Sequence, residues 1–108
     1  MKSRKNIYKA RILAISSQCH MIAEVELQFA ITVKRSISFT DIDIPISNYN
    51  KDWLTENLKF KNVKLCIKDE GYGDYSAKVV VGNTDFNAQL LENKIGVQKE
   101  NEEVNWNR

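Results

Sequence analysis

The chain has 108 residues, enough for one domain around one modest core. With 43% hydrophobic and 28% charged residues it is a folded, globular composition, and no apolar run is long enough to cross a membrane as a helix. The formal net charge of +2 lacks the concentrated basic surplus of a dedicated nucleic-acid binder.

Met1 to Asn6 is a polar, basic lead-in. Its MKSRK start is followed by no apolar segment of the kind that marks a secretory signal, so a cytoplasmic location is expected, in a cell or in an infected bacterial host. Ile7 to Ile15 is the first predicted strand, with Tyr8, Ala10, Ile12 and Ala14 on one face and Lys9, Arg11, Leu13 and Ile15 on the other. Ser16 to Cys19 is a polar turn. Met21, Ala23, Val25, Leu27 and Phe29 then alternate with Ile22, Glu24, Glu26 and Gln28, the period-two pattern of a strand with one buried face. The alternation resumes at Ile31, Val33, Arg35, Ile37 and Phe39. No glycine marks the join, so the turn near Gln28 to Ala30 is either wide or a bulge. The run stops at Pro45, which cannot donate to a ladder.

Ser47 to Asn50 reads as a loop with several residues able to cap a helix, and Lys51 to Leu58 as a short helix burying Trp53, Leu54 and Leu58. Asn62 to Lys68 is the fourth strand, with Val63, Leu65 and Ile67 inward. DEGYGD, Asp69 to Asp74, is a turn, and Tyr75 to Val81 the fifth strand. Thr84 is the expected N-cap of a second helix, Asp85 to Asn93, with Gly96 as its stop. The fold proper spans about residues 6–97, and 98–108 reads as a polar, mobile tail. The expected core is Ile12, Val25, Leu27, Phe29, Val33, Ile37, Leu65, Val79, Phe86 and Leu90.

Cys19 and Cys66 match no metal spacing, and free thiols are expected. Cys19 and His20 are adjacent, so strand geometry would send them to opposite faces and make them poor partners as a nucleophile pair. Glu24, Glu26, Asp41 and Asp43 cluster on or near one hairpin. They read as a solvated acidic face, with a metal site as the lesser alternative.

Five short strands, one helix before the fourth and one closing helix suggest a five-stranded barrel of OB type, although periodicity alone also allows a generic α+β sheet. From Leu13 to Ile46 the chain resembles, without a gap, the staphylococcal-nuclease-like (thermonuclease) family in its short phage and plasmid form. Leu27, Phe29, Thr32, Val33, Ile42, Asp43 and Pro45 stand where that family has V-x-I-D-L-G-F-G-I-T-V followed by R-x-R-L-x-G-I-D-T-P-E. A second stretch, YGDYSAKVVVGNTDFNAQLLENKIG, is similar to the family's Y-G-R-Y-L-A-x-V-Y-V-G-D-T-S-L-N. The resemblance implies a mainly β, OB-fold barrel of staphylococcal-nuclease type with two short helices, as a single domain over residues 1–108.

The same resemblance implies a calcium-dependent phosphodiesterase, but the positions that carry that chemistry are replaced. The family's metal is held by two aspartates and a backbone carbonyl, a carboxylate handles the attacking water, and two arginines clamp the phosphate. Here the family's D-G-D-T reads Ser17, Gln18, Cys19, His20, with Cys19 at the second aspartate. The first arginine is Ser38 and the second is Asp74. Asp43 survives, but the next threonine is Ile44 and the glutamate is Ile46. Losing one such donor costs roughly a hundred- to a thousandfold. No catalytic residue, metal or cofactor is therefore expected.

The first reading is a catalytically inactive nuclease-like domain that binds a protein partner through this altered rim, including Tyr72, where the family has a tyrosine. By analogy with phage genes of this kind, the partner would be a host enzyme or defence protein. The alternative is single-stranded nucleic-acid binding without cleavage, using exposed aromatics and the basic N-terminal side. A divergent metal-dependent nuclease built on Glu24, Asp41 and Asp43 is the third.

Overall fold

The structure is a computed structural model and describes residues 7–99. Five strands close into a barrel. Strand β1 (Ile7–Ile15) pairs antiparallel with β2 (Met21–Glu26) on one side and with β5 (Asn62–Gly71) on the other. β2 pairs with β3 (Thr32–Phe39), and β5 with β6 (Asp74–Val81). A parallel seam then joins β3 to β6, with Ile37 opposite Tyr75, Ser38 opposite Ser76 and Phe39 opposite Ala77. This is the OB-type barrel expected from the sequence.

Three further short strands were not expected. β7 (Thr84–Asp85) folds back on β6 through a tight turn at Gly82 and Asn83. β4 (Ile42–Asp43) pairs with β8 (Val97–Gln98) in a separate two-stranded sheet. The tail expected from residue 98 therefore does not begin there. Gln98 is in a strand, and the Lys99 amide donates to the Asp41 carbonyl at 2.9 Å. Residues 1–6 and 100–108 lie outside the described residues.

The first helix, α1 (Asn48–Leu58), starts three residues before the expected Lys51. Ser47 is its N-cap, with Oγ accepting from the Asn50 amide at 3.0 Å, and the Asn50 side chain donates back to the Pro45 carbonyl at 2.8 Å. Leu54 and Leu58 are fully buried, and Trp53 packs against Phe86 at a centroid distance of 5.7 Å. The second helix, α2, runs from Phe86 to Glu92, and Asp85, not Thr84, caps it. Its stop also differs from expectation. The left-handed residue is Lys94, and Gly96 serves a different purpose, described below.

Core residues Ile12, Val25, Ile37, Leu65, Val79, Phe86 and Leu90 are buried as expected, joined by Met21, Leu54, Leu58 and Ile95. Val33 is half-buried. Leu27 and Phe29 are corrections: Leu27 is 38% exposed and Phe29 89%. β2 ends at Glu26, and Gln28 to Ala30 form one turn of 3-10 helix in which Phe29 and Ala30 both take positive φ. The turn is closed by the Leu27 amide donating to the Ile31 carbonyl, so alternation stops meaning burial after Val25 although the pattern runs on to Phe29. Ile31 is exposed for the same reason. Ile15 is a second correction. A bulge between Ile12 and Ala14 flips the parity of β1, so both Ile12 and Ile15 point into the core.

Candidate functional site

The β1–β2 turn is built on one hydroxyl. Ser16 Oγ accepts from the amides of Gln18 and His20, both at 3.2 Å, while the Cys19 amide donates to the Ser16 carbonyl at 2.9 Å. These bonds hold Cys19 at φ +63 with its side chain inside the barrel, 1% exposed. Cys19 thus belongs to the core cluster and acts there as a small apolar group. A carboxylate at this depth would need a metal or a paired donor to offset its desolvation.

Beside this turn the β3 end and β4 complete a cleft of about 320 Å³. Gln18, Cys19, His20, Ser38, Asp43, Ile44 and Ile46 line it, together with Phe39, Ile42 and Lys99. Seven of the ten residues singled out from sequence therefore converge. Ser17 is exposed in the turn without lining the cleft, and Tyr72 and Asp74 also stand outside the lining. Tyr72 is at the tip of the β5–β6 hairpin, fully exposed, at φ +56 between Gly71 and Gly73.

Two of the converging polar groups are already engaged. Ser38 Oγ donates to the Tyr75 carbonyl across the seam at 3.4 Å. Asp43 is exposed, and its carboxylate lies 3.8 Å from Lys99 Nζ. Lys99 was missed because it follows a stretch that reads as polar tail.

The acidic residues do not form one cluster. Asp43 lines this cleft, whereas Glu24 and Glu26 line a separate hollow on the outer face of the sheet. Among the described residues no three His, Cys, Asp or Glu side chains come together as a metal site would need. The residues present do not fit the calcium ion of the thermonuclease-like site. Calcium takes six to eight oxygen ligands, and this cleft offers one carboxylate with an ammonium beside it.

The cleft's wall is shaped by a close backbone approach. A Cβ on Gly96 would sit 2.5 Å from Ile42 Cγ2 and 3.3 Å from Ile44 Cγ1. Glycine at this position lets β8 lie against β4 and holds Ile42 and Ile44 in place. Ile42 is buried, Ile44 half-buried on the core, and Ile46 is 68% exposed. The two outer isoleucines thus part company, Ile44 packing and Ile46 presenting itself to solvent.

Behind the seam lies a buried polar group that sequence did not reveal. Ser76 Oγ donates to the Glu70 carboxylate, which leaves Thr40 Oγ1 as the donor in its 2.8 Å bond to Ser76 Oγ. Asn87 accepts from the Val79 amide at 3.0 Å and donates to the Thr40 carbonyl at 3.4 Å. These groups satisfy each other and do not open to the cleft. No protein-family model matches the chain, and no curated protein matches it.

Proposed function

We propose that the chain is a non-catalytic OB-type domain that holds a protein partner at the rim formed by the β1–β2 turn and β4. The supporting observation is the exposure of Ile46 on the wall of the cleft, at a position where the resembled family carries a catalytic glutamate. Val97, opposite Asp43 in the β4–β8 pair, is 57% exposed, and Tyr49 at the start of α1 is 71% exposed. An exposed apolar side chain on the wall of a concave site suits an interface centre. The resemblance to short phage and plasmid sequences supports an inhibitor or adaptor role against a host enzyme or defence protein.

Nucleic acid at the tip of the β5–β6 hairpin, outside this cleft, is disfavoured. Tyr72 is available for stacking, but Asp69, Glu70 and Asp74 surround it in the hairpin and would repel phosphates. Catalysis is disfavoured by Cys19, Ser38 and Asp74 in place of the metal ligand and both clamps. Purified protein in millimolar calcium should leave single- and double-stranded substrates intact, and cleavage that Asp43→Ala abolishes would overturn the non-catalytic reading.

The partner reading is tested with Ile46→Asp. Ile44 is unsuitable because it packs against the core. The variant should melt like the parent yet lose the protein that the parent captures from the lysate of its native or infected host. Capture by the parent should change little between low and physiological salt, since the contact is apolar. A variant of unchanged fold that still captures the same protein would show that the rim is not the binding surface.

A further inference from the structure

We propose that the outward face of β1, β5 and β6, bounded by Phe60, binds single-stranded nucleic acid, at a site separate from the cleft. The outward positions of these strands carry Lys9 and Arg11 on β1, Lys64 on β5 and Lys78 on β6, all exposed. Lys9 stands directly opposite Lys64 in the ladder, and Lys78 stands opposite Cys66, one outward position further along β5. No acidic residue occupies an outward position from Ile7 to Arg11, Asn62 to Lys68 or Lys78 to Val80. Like charges facing each other across a strand pair work against the fold. A polyanion relieves that repulsion.

The cations are also free to act. Among the described residues the one ion pair joins Lys99 and Asp43, on the cleft. Arg11 is paired in register with Glu24 on β2, yet its guanidinium lies 5.3 Å from the Phe60 ring centroid, on the β5 side. Glu24 and Glu26 line the same 590 Å³ hollow as Lys9, Arg11 and Lys64, and they mark its anion-repelling edge. A phosphate chain is thereby confined to the β1–β5–β6 side.

Phe60 supplies the second element. It follows α1 at φ +65, a conformation that L side chains rarely adopt, and it is 58% exposed. Two backbone bonds to Ile12 hold this strained corner, the Phe60 amide to the Ile12 carbonyl and the Ile12 amide to the Lys61 carbonyl. Strain maintained at an exposed aromatic points to use. Lys59 Nζ lies 5.0 Å from the same ring. An aromatic face set among cations that line a track is the arrangement that grips single strands, with bases stacking and phosphates paired. Lys9 and Arg11, two residues apart on one strand, are about 6.8 Å apart, on the scale of successive phosphates in an extended strand.

The probe is a fluorescent oligodeoxythymidine of about 16 nucleotides, the upper end of what one such domain spans. With four cations on phosphates, affinity should fall roughly 50-fold between about 50 and 200 mM salt. Lys9→Gln with Lys64→Gln should reduce that fall to roughly sevenfold. Phe60→Asn tolerates the left-handed backbone and removes the ring. It should weaken binding roughly 5- to 150-fold while leaving the salt slope unchanged. Ile46→Asp, which tests the partner rim, should bind the probe like the parent. Each variant is first matched to the parent in melting temperature. Absence of binding at low salt, or binding indifferent to the paired lysine changes or to Phe60→Asn, overturns the proposal. So does equal or tighter binding of a duplex of the same length or of vesicles rich in anionic lipid.

Discussion

Leu27 shows how a single side chain can satisfy a pattern and miss the core. It sits on the correct parity of β2, one residue past the strand's end at Glu26, and is 38% exposed. Leu27→Ala should therefore cost only about 0.5–1 kcal/mol, whereas fully buried Leu65→Ala should cost about 2–5 kcal/mol. Equilibrium denaturation of the two variants measures both. Equal losses would mean that β2 continues past Glu26 and that Leu27 is inward. The alternation was legible; its end was not, because Phe29 and Ala30 turn the chain through left-handed conformations without a glycine to mark the spot. Cys19 stood out in the sequence, but its burial was not legible. That depends on the Ser16 hydroxyl bonds, which no periodicity encodes.

At the scale of elements, the first strand was read to the residue, and the third within one residue of its start. Long apolar alternation carries enough signal for that. The pair of β4 and β8 was illegible. Two-residue strands have no period, and Val97 to Lys99 is too polar to announce itself. Yet this pair shapes the cleft, and Gly96 is its critical residue. Gly96→Ala places a methyl 2.5 Å from Ile42 Cγ2, so Ile42 or the β8 backbone must move. The expected cost is about 1–3 kcal/mol, as for overpacking elsewhere. Lys99→Ala removes only an exposed 3.8 Å ion pair and should fall within about 0.5 kcal/mol. A Gly96→Ala variant as stable as the parent in denaturant would mean that β8 does not lie against β4 as described.

Over the whole molecule, the net charge of +2 conceals an uneven distribution. Cations gather on the outer face of β1, β5 and β6, while Asp69, Glu70 and Asp74 collect at the far end of the β5–β6 hairpin. Composition alone therefore understated the basic face, because much of the balancing acid lies on the hairpin and on β2, where Glu24 and Glu26 border the cations. Five alternating segments and the position of the helices allowed a barrel of this kind beside a generic α+β sheet. The barrel's closure was not legible, since a parallel pairing of β3 with β6 leaves no local trace in either strand.

That closure has a consequence in time. Ser38 and Tyr75, bonded across the seam, are 37 positions apart, whereas the β1–β2 and β2–β3 hairpins pair near neighbours. Closing so long a loop costs entropy before any contact repays it, so the seam should form after the folding transition state. Thr40→Ala, which removes a buried hydroxyl bond at the seam, should accelerate unfolding roughly fivefold and leave the refolding rate nearly unchanged. Val25→Ala, in the local β2–β3 hairpin, should instead slow refolding. Stopped-flow chevrons of the two variants would separate these limbs, and a Thr40→Ala variant that slows refolding would place the parallel seam in the folding nucleus.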